Sequence, residues 1–258
     1  MRRLLAPNLL SPRRARLERL RITLADGART TLHVASYERA FYRPRVVVLD
    51  EPTALARWCR EQGVRNAIVG GFFLRPDCAP LGEVRIDGQR LASVPFDAPF
   101  GDVRACVNID AAGVRIARRD QLGGEPAGDL LQAGPLLVAG GAPVSFDGCD
   151  HEGFSAGAHQ FDSDITRGRY PRAALGVSSE RLIGVACDGR NRRDAGMTLE
   201  ELAEALCSLG ATEALNLDGG GSTSLVYQGR LRNRPREEHG VDVLGGRPIV
   251  SALAIEAL

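Results

Sequence analysis

The stretch "ALNLDGGGSTS", Ala214 to Ser224, decides how the last third of this chain is read. Residues 214–217 make a short apolar strand that stops on Asp218, followed by Gly219, Gly220, Gly221 and then Ser222, Thr223 and Ser224. A carboxylate at the point where a strand leaves the core, beside backbone without Cβ atoms, has two readings. One is a tight hairpin in which Asp218 caps the turn. The other is a binding site: bare glycine backbone lets a ligand come close, and consecutive N–H groups form a concavity for an anion. In the second reading Ser222 and Thr223 add hydroxyl donors, and Asp218 supplies a negative charge or a proton acceptor. Such a set suits an anionic, polyhydroxyl ligand of the sugar-phosphate kind.

Other glycine motifs fit less well. A P-loop requires a lysine before its Ser/Thr, and none stands here. The dinucleotide fingerprint requires a third glycine where Ser224 lies and a helix after it, whereas "SLVYQG" reads as a strand. A second motif, "GFSAG" at 153–157, matches the nucleophile elbow, with Ser155, Asp218 and His239 in the chain order of an α/β-hydrolase. Its flanks, "FDGCDHE" and "AHQFDSD", lack the strand and helix an elbow needs, so a serine esterase using Ser155 is the lesser alternative. Asp162-Ser163-Asp164 reads as a solvated turn, with a divalent cation as its other possibility, and the metal content stays open.

Working outward, Thr198 and Glu201 form a T-x-x-E capping box before the stripe Leu199, Leu202, Leu206 and Leu209, and Gly210 closes that helix. A second helical spacing covers 53–62. Short strands are expected at 20–24 and 30–35 as an opening hairpin, then at 46–49, 67–69, 105–109, 114–117, 136–138, 173–177, 181–186, 225–227 and 249–255. Two more flank the Asp87-Gly88 turn. Between 140 and 170 the apolar periodicity vanishes, and a loop that long in a compact domain is usually functional or disordered. The fold class is therefore α+β: a single domain, 19–258, with a mixed, mostly antiparallel sheet, a few packed helices and a pocket at strand ends. Residues 1–18 form a basic N-terminal extension.

At 258 residues, 44% hydrophobic and 25% charged, the composition is that of a globular domain with a real core. A formal net charge of +1 gives no field for nucleic acid or an anionic membrane. No apolar run reaches the ~18 residues that span a bilayer, and the broken N-terminal apolar stretch does not read as a signal peptide. The six cysteines are scattered without metal-ligand spacing, and Cys187 and Cys207 read as buried free thiols. The expected location is the cytoplasm, with no cofactor; the oligomeric state is open.

Three further polar clusters sit at strand ends: Arg172 in "YPRAALGV", Asp188, Gly189 and Arg190 in "VACDGRN", and Asn233 and Arg234 in "LRNRP". All could meet on one rim of a sheet, where arginine forks clamp phosphate oxygens. These segments, together with "NLDGGGST", "QAGPLLVAGG" and "GGFF", resemble the phosphodiester glycosidase family. The resemblance is dense over the last ninety or so residues. It implies a hydrolase that removes a sugar joined through C1 to a phosphodiester, with a carbohydrate phosphodiester as substrate. It places Arg172, Asp188, Arg190, Asn216, Asp218, Gly219, Gly220, Gly221, Ser222, Thr223 and Asn233 in the pocket, and Gly71 through the "GGFF" motif. Where the family has Asn-Gly-Gly-Phe-Phe, this chain has Val69-Gly70-Gly71-Phe72-Phe73, so one amide is missing. On this reading Arg172 and Arg190 hold phosphate, Asp218 is the first candidate for nucleophile or base, and Asp188 is the second. A non-catalytic binder of sugar phosphates or polysaccharide phosphodiesters is the alternative.

Overall fold

A computed structural model of the protein describes residues 14–145, 151–154 and 168–258. Its central sheet is built from strands that bury both faces. Along Arg172–Val177, for example, Ala173, Leu175 and Val177 enter one core cluster while Ala174 enters another. That is the alternation a strand covered on both sides must show. The sheet has seven strands in the order Ala15–Thr23, Arg29–Glu38, Arg181–Cys187, Arg172–Val177, Glu213–Leu217, Leu136–Ala139 and Ala142–Pro143.

The helix Leu199–Ser208 covers one face, where its Leu199, Leu202, Ala203 and Leu206 pack with Val34, Ala174 and Val185. The expected capping box is formed: Thr198 Oγ1 accepts the Glu201 N–H at 3.1 Å, and Glu201 Oε2 accepts the Thr198 N–H at 2.9 Å. On the opposite face, Leu175 and Leu215 join Ile68 and Leu253 of a second sheet and Val107 and Leu131 of a third, in one continuous core. The second sheet runs Arg230–Leu231, Leu225–Tyr227, Ala67–Val69, Pro248–Ala257, Tyr42–Ala54; the third runs Gln89–Arg90, Val84–Ile86, Asp129–Gln132, Ala105–Asp110, Gly113–Arg118. Every strand pairing in the three sheets is antiparallel. The protein is a single α+β domain of this build, as the sequence led us to expect.

Three local readings shift. The opening hairpin is longer than expected, running back to Ala15, which faces Tyr37. Strand Tyr42–Ala54 takes in Thr53, which pairs with Ile249 across an irregularity in the ladder, so the first helix is Leu55–Glu61 rather than 53–62. The strand Asp129–Gln132 has only two apolar residues and no sequence signal; it is held because it pairs on both sides in the third sheet. Cys59, Cys78, Cys106, Cys187 and Cys207 are free thiols; Cys187 is buried as expected, whereas Cys207 is only half-buried. Among the described residues no helix is long and apolar enough to cross a membrane.

Thr198→Ala removes the side-chain half of the capping box and should cost about 1 kcal/mol. Chemical denaturation should show a lower midpoint with an unchanged slope.

Candidate active site

Strand register brings the scattered polar clusters to one rim. Ala173 faces Leu217 and Arg172 faces Cys187, so Arg172, Asp188 and Asp218 all fall at the same end of three neighbouring strands. The chain entering this rim is stapled to the helix side. Tyr170 and Met197 exchange backbone hydrogen bonds at 3.2 and 3.1 Å, and Arg169 pairs with Glu201.

Asp218 is half-buried, and its Oδ1 accepts the Gly219 N–H at 2.9 Å. Burial pushes its pKa up from 3.8 to about 6. The Ser222 hydroxyl, the Arg247 guanidinium, the Gly219 N–H and Arg75 all pull the other way and only partly offset that rise.

Most of the amides after Asp218 are engaged within the protein. The turn Gly220–Ser222 is a single 3₁₀ turn, and it uses its own donors. Gly220 N–H goes to the Pro171 carbonyl at 2.9 Å, and the Ser222 and Thr223 N–H groups close onto Gly219 and Gly220 at 3.1 and 3.2 Å. Gly220 sits at φ +58°, where a side chain would be strained, and a Cβ on Gly221 would lie 2.3 Å from Glu237 Oε1. Gly221 thus makes room for a protein carboxylate.

Several other expected site residues turn out to be held by the protein itself. Both Asp188 oxygens are engaged: Oδ1 accepts the Arg234 N–H at 2.7 Å, and Oδ2 lies 3.1 Å from His33 Nε2. Arg172 is 3% exposed and donates from Nε to the Met197 carbonyl at 3.0 Å. Asn233 donates to the Thr223 carbonyl at 2.7 Å and accepts the Leu225 N–H at 2.9 Å, fastening the end of the glycine turn to the next strand. Asn216 is buried, with its amide nitrogen on the Gly134 and Leu217 carbonyls at 3.1 and 2.9 Å. Gly71 gives its N–H to Ser251 Oγ at 3.1 Å. Arg190 is half-buried; its Nη1 donates to the Arg236 carbonyl at 3.1 Å and lies 3.2 Å from where a Cβ on Gly220 would stand. Tyr170 joins the two arginines, its ring centre 5.2 Å from the Arg172 guanidinium and 5.7 Å from that of Arg190.

Sequence reading missed five of these neighbours: His33, Arg75, Tyr170, Glu237 and Arg247. Arg247 donates from Nε to Glu237 Oε1 at 2.6 Å and from its main chain to the Gly221 carbonyl at 2.9 Å. That arginine holds the Glu237 carboxyl below its usual range. His33 carried one usable signal, a polar ring inside the apolar run "LHVA"; Glu237 and Arg247 lie in irregular, charge-rich sequence with no pattern to mark them.

Residues 62–256 match the family described as phosphodiester glycosidase. The chain belongs to the phosphodiester glycosidase family. Among solved structures it is similar to the catalytic domain of zebrafish N-acetylglucosamine-1-phosphodiester alpha-N-acetylglucosaminidase, auto-inhibited by its pro-peptide: TM-score 0.70, 19% identity, covering 94% of this chain and 82% of that one. A hypothetical protein from Synechocystis gives a TM-score of 0.63 at 20% identity, over 95% of this chain and 62% of that one. A putative exported protein from Burkholderia pseudomallei K96243 gives 0.63 at 16%, over 89% and 74%. At such identities the likeness is one of fold. The SPbeta prophage-derived uncharacterized protein YomE of Bacillus subtilis (strain 168) is 35% identical over 66 residues, which make up 25% of this chain and 10% of that protein. The chain therefore spans a small part of the prophage protein and under two thirds of the Synechocystis one.

Within this family member, the residue replacing the motif's asparagine is wholly internal. Val69 is buried, paired with Ala252, and donates its N–H to the Ser224 carbonyl at 3.0 Å. Among the described residues, Asn216 Oδ1, Ser222 Oγ, Thr223 Oγ1 and Ser224 Oγ are buried without a hydrogen-bond partner. No group of three metal-ligating side chains is assembled among those residues. Ser155 and the Asp162-Ser163-Asp164 motif lie outside them.

Asn233→Ala would strip two buried backbone groups of their partners. A loss of about 1–3 kcal/mol in denaturant-measured stability is expected, together with weakened hydrogen-exchange protection at Leu225.

Proposed function

We propose that this protein is a hydrolase that releases a sugar from a glycosyl-1-phosphodiester, with Asp218 as the reacting carboxylate. One observation carries the reading: Asp218 sits half-buried at the strand end that register aligns with Arg172, and burial lifts its pKa to about 6. Such a group is ionised at neutral pH yet retains enough proton affinity to act as a base. A phosphate leaving group is already a stable anion, so cleavage of its bond to C1 needs charge stabilisation more than a proton. A second carboxylic acid, which most glycosidases require, is then dispensable. Family membership and the likeness to the zebrafish catalytic domain support this substrate class.

In this reading the expected residues fall into two groups. Asp218 and Arg190 face the chemistry, Arg190 as the guanidinium for phosphate oxygens. Asp188, Arg172, Asn216 and Asn233 hold the rim through the bonds described above. Asp188, with both oxygens occupied, is not the nucleophile in this account. The Ser222 hydroxyl is one of the groups that favour the Asp218 anion. The likeness to a putative exported protein favours export over the cytoplasmic location expected from the sequence.

The test is Asp218→Asn, assayed for reducing sugar released from a panel of glycosyl-1-phosphodiesters. Turnover should fall at least ~100-fold; retention within about tenfold, or about 1.4 kcal/mol of barrier, would remove Asp218 from the chemistry. The sign of the pH effect is fixed by the raised pKa. Asp218 works as the anion, so kcat/KM should drop as pH falls through about 6 and level off above it. A flat acid limb down to the ordinary carboxylate range would contradict the assignment.

A further inference from the structure

We propose that Tyr170 is a positioning residue for the substrate's phosphate: its ring holds the Arg190 guanidinium against the glycine turn, with one edge of that guanidinium left for an anion. This rests on the reading of Arg190 as a phosphate-binding arginine and adds to it a residue that sequence reading missed.

Both backbones are fixed before the side chains meet. Tyr170 exchanges hydrogen bonds with Met197 at 3.2 and 3.1 Å, and a Cβ on Gly196 would lie 2.6 Å from the Tyr170 carbonyl oxygen. The turn that carries Arg190 is packed against the same segment, since a Cβ on Gly189 would lie 2.8 Å from the nitrogen of Pro171. Arg190 stands at φ +61°, a left-handed conformation that a side chain adopts only where its surroundings impose it. One such neighbour is Gly240, whose missing Cβ would come within 2.4 Å of the Arg190 carbonyl oxygen. From these positions the Tyr170 ring centre lies 5.7 Å from the Arg190 guanidinium carbon and 5.2 Å from that of Arg172.

Both separations fall within the ~6 Å over which the negative face of a ring attracts a guanidinium. The two arginines differ in what they can then do. Arg172 is buried, with Nε on the Met197 carbonyl at 3.0 Å and Nη2 on the Gly168 carbonyl at 3.3 Å, so it serves as the fixed partner. Arg190 is half-buried and reaches the turn after Asp218: its Nη1, Nη2 and Cζ lie 3.2, 3.6 and 3.7 Å from where a Cβ on Gly220 would stand. Among the described residues its guanidinium makes one hydrogen bond, from Nη1 to the Arg236 carbonyl at 3.1 Å. The Nε and Nη2 donors share the edge that takes two oxygens of a phosphate side-on. Glu237, the carboxylate next along the turn, is already paired with Arg247. Without the ring, a long side chain tied at one nitrogen would have to be ordered by the anion itself, which weakens binding.

The experiment titrates inorganic phosphate into the full chain labelled with ¹⁵N-arginine and follows the Arg190 Nε–Hε signal, assigned by its loss in Arg190→Lys. In the unaltered protein that signal should shift saturably. Tyr170→Phe keeps the ring and should bind phosphate within about twofold of the unaltered protein, whereas Tyr170→Leu should bind it about fivefold more weakly. A trifluorinated phenylalanine installed at position 170 keeps the ring's shape but depletes its negative face, so it should bind more weakly than Tyr170→Phe. A ring that acted only as filler would leave those two alike. No saturable shift in the unaltered protein, a Tyr170→Leu affinity within about twofold of it, or equal affinities for Tyr170→Phe and the fluorinated form would overturn the proposal. The fluorinated form decides it if Tyr170→Leu does not fold. No sugar is released in this measurement. Phosphate binding with the expected order but no turnover of glycosyl-1-phosphodiesters would count against the glycosidase reading alone, and turnover with a flat titration against this proposal alone.

Discussion

The rim of the central sheet depends on how tightly one piece of backbone, Pro171, is enclosed. Its carbonyl takes the Gly220 N–H at 2.9 Å. A Cβ on Gly219 would come within 2.9 Å of that carbonyl oxygen, and one on Gly189 within 2.8 Å of the Pro171 nitrogen. Two strand ends therefore close on a third with main chain against main chain, a separation no other residue type allows. With Pro171 fixed, Tyr170 lies against both Arg172 and Arg190, and Asp218 is carried to the same edge as Asp188. The site follows from this packing, and the glycines serve protein contacts first.

Burial shapes the chemistry of that edge. A carboxylate withdrawn from water favours its protonated form, and nearby guanidinium groups restore part of the anion's stability. Asp218 ends between these pulls, at about 6. Asp188, buried more completely, is tied instead to His33 and to the main chain of Arg234. Two aspartates that look alike at two strand ends thus sit in different surroundings, and environment can set paired carboxylates to different roles. The buried hydroxyls of Ser222, Thr223 and Ser224 belong to the same edge.

Much of this was legible in the sequence, for identifiable reasons. Apolar runs ended by glycine or polar residues marked six of the seven strands of the central sheet, all but Ala142–Pro143. The T-x-x-E box with its leucine stripe gave the helix Leu199–Ser208. Polar clusters at strand ends gave the rim, because antiparallel neighbours of matched length must bring such ends together. What could not be read was which donors the protein would spend on itself. Three glycines in a row signal room for close approach, yet they do not say whether a ligand or Pro171 and Glu237 will occupy it. The roles of Asn233 and Arg172 as braces depend on partners set by tertiary packing. The pair Glu237 and Arg247 sits in irregular chain, where spacing holds no information about contact. Asp129–Gln132 was likewise invisible, since its place comes from neighbours rather than from its own composition.

The most direct test of the central claim, that this rim directs water to a sugar carbon, is the fate of isotopic oxygen. The unaltered protein would turn over a glycosyl-1-phosphodiester in ¹⁸O-water, and both products would be weighed by mass spectrometry. This account predicts the label in the released sugar hydroxyl and none in the phosphate product. Label in the phosphate, which marks cleavage at phosphorus, would contradict it.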